Sequence, residues 1–189
     1  MNKESISKII DEISQNFAEL SNNCSNEIEE AAQLIIKSID SGGKVMFCGN
    51  GGSAADSQHL AAELVGRYRK DRRALPGLAL TTDTSNITAI ANDYSYQEIF
   101  SRQIEGIGKE NDILYAISTS GKSKNIIEAI NVAKKLKIKI IGLTGIDGNE
   151  MSNICDILIN APASKPDRIQ ELHIAIGQII CGIVEETLC

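Results

Sequence analysis

A histidine and a glutamate four residues apart follow a glycine-rich turn. His59 and Glu63 come shortly after residues 49–53, GNGGS, which we call the glycine turn. Residues four apart share one face of an α-helix, so both side chains can act on the same ligand. Such pairs are most often surface ion pairs that contribute little free energy. The chain holds only two histidines, and this scarcity, together with the nearby turn, favours a chemical role.

The glycine turn lies between an apolar run and a helical pattern. Residues 44–48, KVMFC, have the character of a buried strand, and we expect Ser53 to cap the helix that follows. Strand, turn and helix in this order direct free backbone N–H groups and the positive end of a helix dipole at one place. The sequence therefore predicts an anion site, suited to a phosphorylated or carboxylated small molecule.

A second polar turn, STSGKS at residues 118–123, also connects an apolar run to a helical pattern. We call it the hydroxyl turn. Each hydroxyl can donate a hydrogen bond to a charged oxygen, and the helix that follows adds its dipole. A Ser/Thr-rich helix cap without function is the alternative. We expect a phosphate site built by four residues: Ser118, Thr119, Ser120 and Ser123.

Two short patterns resemble nucleotide-binding motifs but lack parts of them. The glycine turn fits G-x-G-x-x-A, yet the acid that a dinucleotide site needs ~20 residues later is missing. The predicted second strand ends near Asp83, 34 residues after Gly49. Residues 121–123, GKS, resemble the end of a P-loop, but Ala116 stands where that motif requires glycine. Both nucleotide interpretations are therefore disfavoured.

Five apolar runs alternate with helical patterns along the chain. The predicted strands lie near residues 44–48, 75–80, 112–118, 138–143 and 154–159. Parallel neighbours need crossover helices, so this alternation predicts an α/β fold with a doubly wound, five-stranded parallel sheet flanked by helices. Ligands of such sheets bind at the carboxyl ends of the strands. The glycine turn and the hydroxyl turn should therefore converge.

Helices precede and follow the predicted sheet. Apolar spacing predicts helices at residues 2–20 and 25–40, which would form an N-terminal helical hairpin (1–41) ahead of an α/β body (42–189) in a single domain. The hairpin would pack on the body or on another subunit. The last helix should run from about Pro166 to Thr187 and is largely apolar. Gln178 lies within it, and His173 should face elsewhere as a structural histidine.

Composition excludes several classes of protein. The net charge of −6 and the pI near 5.0 argue against a nucleic-acid surface. No apolar run approaches the ~20 residues that a membrane helix needs. Five cysteines without close spacing indicate reduced thiols, which is typical of a cytoplasmic protein.

Several longer motifs resemble the sugar isomerase (SIS) superfamily, and within it most closely the phosphoheptose isomerase family. They are CGNGGSAADSQHLAAEL, ALTTDTS, AIANDY, IFSRQ, ISTSGKS, GLTG and RIQELH. The resemblance implies a SIS-type, flavodoxin-like fold and a homotetramer with sites at subunit interfaces. It implies an aldose–ketose isomerase that converts sedoheptulose 7-phosphate to D-glycero-D-manno-heptose 7-phosphate through an enediol. That reaction is the first step of ADP-heptose synthesis for lipopolysaccharide or capsule.

The same resemblance assigns roles to residues of this sequence. Substrate contacts would come from Asn50, Gly51, Gly52, Ser53, Glu63, Asn92, Asp93, Ser118, Thr119, Ser120, Ser123, Asp167 and Gln170. One zinc ion per subunit would be held by His59, Glu63, Gln170 and Gln178, and the acid/base pair would be Glu63 and Gln178. The family usually has histidine at position 178. Glutamine cannot carry a proton at neutral pH, and imidazole is the better zinc ligand.

Two other functions are compatible with a SIS-type chain. Some members resemble the isomerases but act as regulatory or scaffold proteins, for example by binding the bacterial replication initiator. Those members lack the glutamate of the His/Glu pair as well as the last-helix histidine. This chain keeps Glu63, which favours catalysis. An isomerase of another sugar phosphate is the nearer alternative.

Overall fold

A five-stranded parallel sheet forms the centre of the protein. The computed structural model describes residues 3–189. Its strands are β1 (Val45–Cys48), β2 (Gly77–Ala79), β3 (Ile113–Ile117), β4 (Lys139–Thr144) and β5 (Ile157–Asn160). Their order is β2-β1-β3-β4-β5, and every neighbouring pair is parallel. The predicted doubly wound, flavodoxin-like sheet is confirmed.

Helices cover both faces of the sheet. They are α1 (Lys3–Asp40), α2 (Gly52–Val65), α3 (Thr84–Asp93), α4 (Ser101–Ile107), α5 (Lys124–Lys135) and α6 (Pro166–Leu188). Apolar residues of α1, α2 and α6 pack on one face, and those of α3, α4 and α5 pack on the other. The central strands are buried on both faces, which explains their continuous apolar sequence. Within residues 3–189, no helix has the length and apolar character to cross a bilayer.

The N-terminal segment is one helix, so the predicted hairpin is wrong. Helix α1 continues for 38 residues through the segment 21–24, SNNC, where the prediction placed a break. These residues are weak helix formers, but each costs at most ~0.7 kcal/mol relative to alanine. Leu20, Cys24 and Ile28 are buried in one stripe across this segment. Their burial against α6 and β5 stabilises the continuous helix.

The predicted cap of α2 is also wrong. Helix α2 begins at Gly52, and the N-cap position is Gly51, which has φ 56°. Only glycine adopts this left-handed conformation readily, so the turn depends on Gly51 rather than on a capping hydroxyl. Ser53 lies in the first turn of the helix, 3% exposed, and its backbone N–H donates to the carbonyl of Asn50.

Candidate active site

The glycine turn lies directly against the last helix of the chain. A Cβ atom added at Gly52 would lie 2.7 Å from Nε2 of Gln170 and 2.8 Å from its Oε1. The Gln170 side chain therefore occupies the space that a side chain at position 52 would fill, and only glycine permits this contact. No side chain caps the start of α2, so its N–H groups remain directed at the carboxyl edge of the sheet.

The glycine turn and the hydroxyl turn converge, as the sequence predicts. Asn50 Nδ2 donates to Asn125 Oδ1 at 2.9 Å, and Asn125 Nδ2 donates to Asn50 Oδ1 at 2.8 Å. The Tyr96 hydroxyl also donates to Asn50 Oδ1, at 3.0 Å. Asn125 and Tyr96 are absent from the predicted site. The position of Asn125 in the first turn after the hydroxyl turn was the signal that could have identified it.

The hydroxyl turn is held in one shape by glycine and by hydroxyl contacts. Ser118 Oγ donates to Ser123 Oγ at 3.1 Å, and Ser123 does not cap α5 with its side chain. Gly121 has φ 64°, and a Cβ there would lie 2.4 Å from the carbonyl oxygen of Gly148. A cavity of about 210 Å³ opens beside Thr119 and Ser120. The hydroxyls and the uncapped helix end fit an anionic group.

His59, Glu63 and Gln178 meet where α2 and α6 cross, and we call them the crossing cluster. His59 Nε2 lies 3.0 Å from Glu63 Oε1, and Gln178 Nε2 lies 2.9 Å from the same oxygen and 3.1 Å from His59 Nε2. The helices approach closely because Gly177 has no side chain. A Cβ at Gly177 would lie 2.5 Å from both methyl carbons of Leu60.

Hydrogen-bond roles in the crossing cluster are set by Glu63. A carboxylate accepts only, so the Gln178 amide N–H donates to it. His59 Nε2 then either donates to Glu63 or accepts the second Gln178 N–H, and one imidazole nitrogen cannot do both at once. The side chain of His59 is 53% exposed, whereas that of Glu63 is 20% exposed. The arrangement thus offers a sheltered carboxylate base beside an imidazole that reaches solvent.

The zinc ligands implied by the resemblance do not form a closed zinc site in this arrangement. Zinc sites are built from cysteine, histidine and carboxylate ligands, whereas two of the four expected ligands here are amides. The nitrogen of Gln178, which has no lone pair for a metal, faces His59 and Glu63. Within residues 3–189, no group of three or more His, Cys, Asp or Glu side chains can hold a metal ion. Zinc remains a prediction, and no chemical step is derived through it.

Three other predicted substrate residues lie on the surface. Asn92 Nδ2 donates to Asp93 Oδ1 at 2.8 Å, and both residues are exposed at the end of α3. Asp167 Oδ2 accepts from Arg168 Nη2 at 3.1 Å in the first turn of α6. Among the hydrogen bonds of the described residues, none joins these three side chains to the crossing cluster. Their substrate contacts stay predictions.

Asp56 is a further ionisable group beside the crossing cluster. It precedes His59 by three residues and therefore lies on the same side of α2. Its Oδ2 atom is buried without a hydrogen-bond partner. Burial raises the pKa of the Asp56 carboxyl to about 6, while the nearby His59 acts in the opposite direction. Asp56 therefore holds a proton more readily than an ordinary aspartate.

His173 has a structural position, as expected. It is fully buried in α6, and its Nε2 lies 3.1 Å from the carbonyl oxygen of Thr144. Burial lowers the pKa of His173 to about 4, although the hydrogen bond to Thr144 opposes this shift. The imidazole is therefore neutral and donates from Nε2 to the end of β4.

This burial of His173 predicts a loss of stability in acid. The pKa falls from 6.5 in the unfolded chain to about 4 in the folded protein, so the unfolded chain binds more protons between these values. As the pH falls through this window, we expect the burial of His173 to lower the free energy of unfolding by up to about 3 kcal/mol. Urea unfolding of wild type and His173→Gln at fixed protein concentration measures it. Parallel pH slopes for the two proteins would contradict the assignment.

Comparison with known proteins finds relatives of this chain in both sequence and fold. The family model for the SIS domain matches residues 9–145. The phosphoheptose isomerase of Rhodospirillum rubrum is 53% identical over 166 residues, which cover 88% of each chain. That of Sulfurimonas denitrificans is 52% identical over 186 residues, which cover 98% of this chain and 94% of the relative.

Solved structures extend this similarity to the whole fold. A phosphoheptose isomerase from Neisseria gonorrhoeae superposes with a TM-score of 0.92 at 38% identity, covering 97% of this chain and 98% of the other. One from Francisella tularensis superposes with a TM-score of 0.94 at 35% identity, covering 98% and 100%. The chain therefore belongs to the phosphoheptose isomerase family of SIS-domain proteins.

Proposed function

We propose that this chain is an aldose–ketose isomerase that converts sedoheptulose 7-phosphate to D-glycero-D-manno-heptose 7-phosphate. The main observation behind this proposal is the retained Glu63, which contacts His59 and Gln178 where α2 and α6 cross. Membership of the phosphoheptose isomerase family supports the substrate. A regulatory SIS protein would not need a carboxylate base at this position.

In this proposal, the hydroxyl turn binds the phosphate. Thr119, Ser120 and Ser123 donate to its oxygens, Ser118 orients the Ser123 hydroxyl, and the uncapped start of α5 stabilises its charge. Binding at this remote group orients the sugar chain, so that carbons 1 and 2 reach the crossing cluster. The binding energy thereby contributes to the rate as well as to affinity.

Glu63 then acts as the base at carbon. Its carboxylate removes a proton from C1 of the ketose, the C2 carbonyl oxygen gains a proton, and an enediol forms. Return of a proton to C2 and loss of the O1 proton give the aldose. Gln178 can donate a hydrogen bond to a reacting oxygen but cannot change its own charge. We assign the transfer between the oxygens to His59 and solvent, because an imidazole nitrogen can either accept or donate a proton.

The direct test is turnover of sedoheptulose 7-phosphate by the purified protein, followed by proton NMR before and after treatment with a chelator. We expect turnover, and we expect it to survive chelation because no step uses a metal. Sugar-phosphate binding without turnover would contradict the proposal and favour the regulatory alternative. Faster turnover of another ketose phosphate would support the same isomerase reaction but assign a different substrate.

We further propose a cytoplasmic homotetramer whose subunits meet along the first half of α1. Ile6, Ile10 and Phe17 are 48%, 55% and 39% exposed and lie on one side of this helix. An apolar stripe of this kind is typical of a helix that packs on another chain. The five cysteines are all unpaired, as in a reducing compartment.

Substitution within this stripe tests the assembly. Ile10→Glu is expected to shift the protein from tetramer to smaller species in sedimentation velocity, because a charge would be buried at the contact. Gln15→Glu adds the same charge on the opposite side of α1 and should leave the sedimentation coefficient unchanged. A wild-type monomer, or equal behaviour of the two variants, would refute this role of α1.

A further inference from the structure

We propose that Arg72 and Glu185 form a clamp that sets the distance between Glu63 and Gln178. Both are positioning residues rather than catalytic ones, because their contacts lie behind the crossing cluster. The inference rests on the proposed function only in its activity test. The clamp joins the end of α2 to the end of α6, the two helices that carry Glu63 and Gln178.

Glu185 is a buried carboxylate whose hydrogen bonds all come from one short segment. It is 2% exposed, near the end of α6. Its oxygens accept from the backbone N–H of Arg69 at 3.0 Å, from that of Lys70 at 3.1 Å, and from Nε of Arg72 at 3.0 Å. Three donors on one buried carboxylate fix the segment 69–72 against α6.

Arg72 extends this connection to the end of α2. Its guanidinium group donates to the carbonyl oxygens of Glu63, Leu64 and Gly66, each at 2.8 Å. The last carbonyls of a helix have no intrahelical partner, so a planar five-donor group suits this position. The backbone of the proposed base is thus bonded directly to Arg72.

Two further contacts restrain the backbone around Gln178. The Tyr68 hydroxyl donates to the backbone carbonyl of Gln178 at 3.1 Å. Gly177, which has no side chain, packs directly against Leu60. Residues 68–72 therefore hold the backbone on both sides of the contact between Glu63 Oε1 and Gln178 Nε2, which is 2.9 Å long. A displacement of ~1 Å at reacting groups can cost ~10²-fold in rate.

A purely structural role makes a different prediction. Buried ion pairs often contribute little to stability relative to apolar residues of similar size, although removing one partner alone is costly. If the clamp acted only on stability, folded variants would keep the wild-type kcat. If it positions Glu63 and Gln178, kcat falls while KM stays near its wild-type value, because the phosphate site lies on other elements.

The test compares Arg72→Lys and Glu185→Gln with a control, Asp112→Asn. Asp112 is also a buried carboxylate, 3% exposed, which accepts from the Lys44 ammonium and from the backbone N–H groups of Lys44 and Lys109. Its hydrogen-bond partners, Lys44 and Lys109, lie outside α2, α6 and the segment 68–72. We expect both clamp variants to lower kcat by about 10- to 100-fold with KM within threefold, and Asp112→Asn to leave kcat unchanged.

A second measurement does not depend on activity. His59 is the more exposed of the two histidines, and its ring-proton NMR signals at fixed pH report on the crossing cluster. Both clamp variants should shift these signals, whereas Asp112→Asn should not. If a single variant does not fold, the double variant Arg72→Met/Glu185→Leu is used instead. It replaces the buried ion pair with apolar side chains of similar volume. Unshifted signals and a kcat within twofold of wild type in the folded variants would overturn the clamp.

These readouts separate the clamp from the proposed function. If wild type did not turn over sedoheptulose 7-phosphate, the substrate proposal would fail, while the shift of the His59 signals would still test the positioning. A fall in kcat for Asp112→Asn equal to that of the clamp variants would mean that general destabilisation explains the effect, and it would refute the clamp.

Discussion

Glu63→Gln is expected to lower turnover of sedoheptulose 7-phosphate by about 10³-fold, within the range of general-base catalysis. The substitution keeps the size of the side chain and removes its ability to take a proton from carbon. Because the side chain of Glu63 is 20% exposed, solvent water is a poor replacement for the base. The measurement is the rate of C1 proton exchange with deuterium oxide, which reports the carbon step alone.

A matched control separates the base from general effects. Glu105→Gln makes the same chemical change at an exposed position of α4 and should exchange at the wild-type rate. His59→Gln should slow net isomerisation more than carbon exchange, because His59 serves the oxygens in our proposal. An exchange rate of Glu63→Gln within threefold of wild type would assign the base to another group.

Much of the fold could be predicted because its signals are local. The buried strands β1 and β3 are continuous apolar runs, and the glycine turn follows β1 directly. His59 and Glu63 are four residues apart on one helix, so their contact depends only on helical geometry. The convergence of the two turns follows from the general rule for parallel sheets.

The remaining features depend on long-range packing. The sequence did not place Gln178 Nε2 at 2.9 Å from Glu63, because this distance is set by how α6 crosses α2. The same limit applies to Asn125 and to Arg72, whose partners are distant in sequence. The hairpin error has another cause. Apolar spacing predicted separate helices at 2–20 and 25–40, but burial of Cys24 and its neighbours outweighs the weak helix propensity of the residues between them.

Gln178→His is expected to raise the affinity of the protein for zinc by at least about tenfold. An imidazole at this position would present a nitrogen lone pair to His59 and Glu63, where the wild-type amide presents N–H groups. Even the loss of an outer-shell partner typically costs ~10- to 100-fold in metal affinity, so gain of a direct ligand should matter at least as much. Competition with a chromogenic chelator at pH 7.5 measures the affinity.

Cobalt(II) provides an independent readout, because its visible absorption is strong in tetrahedral sites and weak in octahedral ones. The variant should show the tetrahedral spectrum, and Gln33→His, which adds an imidazole on the exposed side of α1, should not. If wild type bound zinc as tightly as the variant, Gln178 would have to rotate its amide and coordinate through oxygen. Loss of turnover on chelation would then mean that the crossing cluster holds a metal that would supply polarisation of the substrate carbonyl. Weak wild-type binding with chelator-resistant turnover would instead assign the oxygen chemistry to His59 and hydrogen bonds from Gln178.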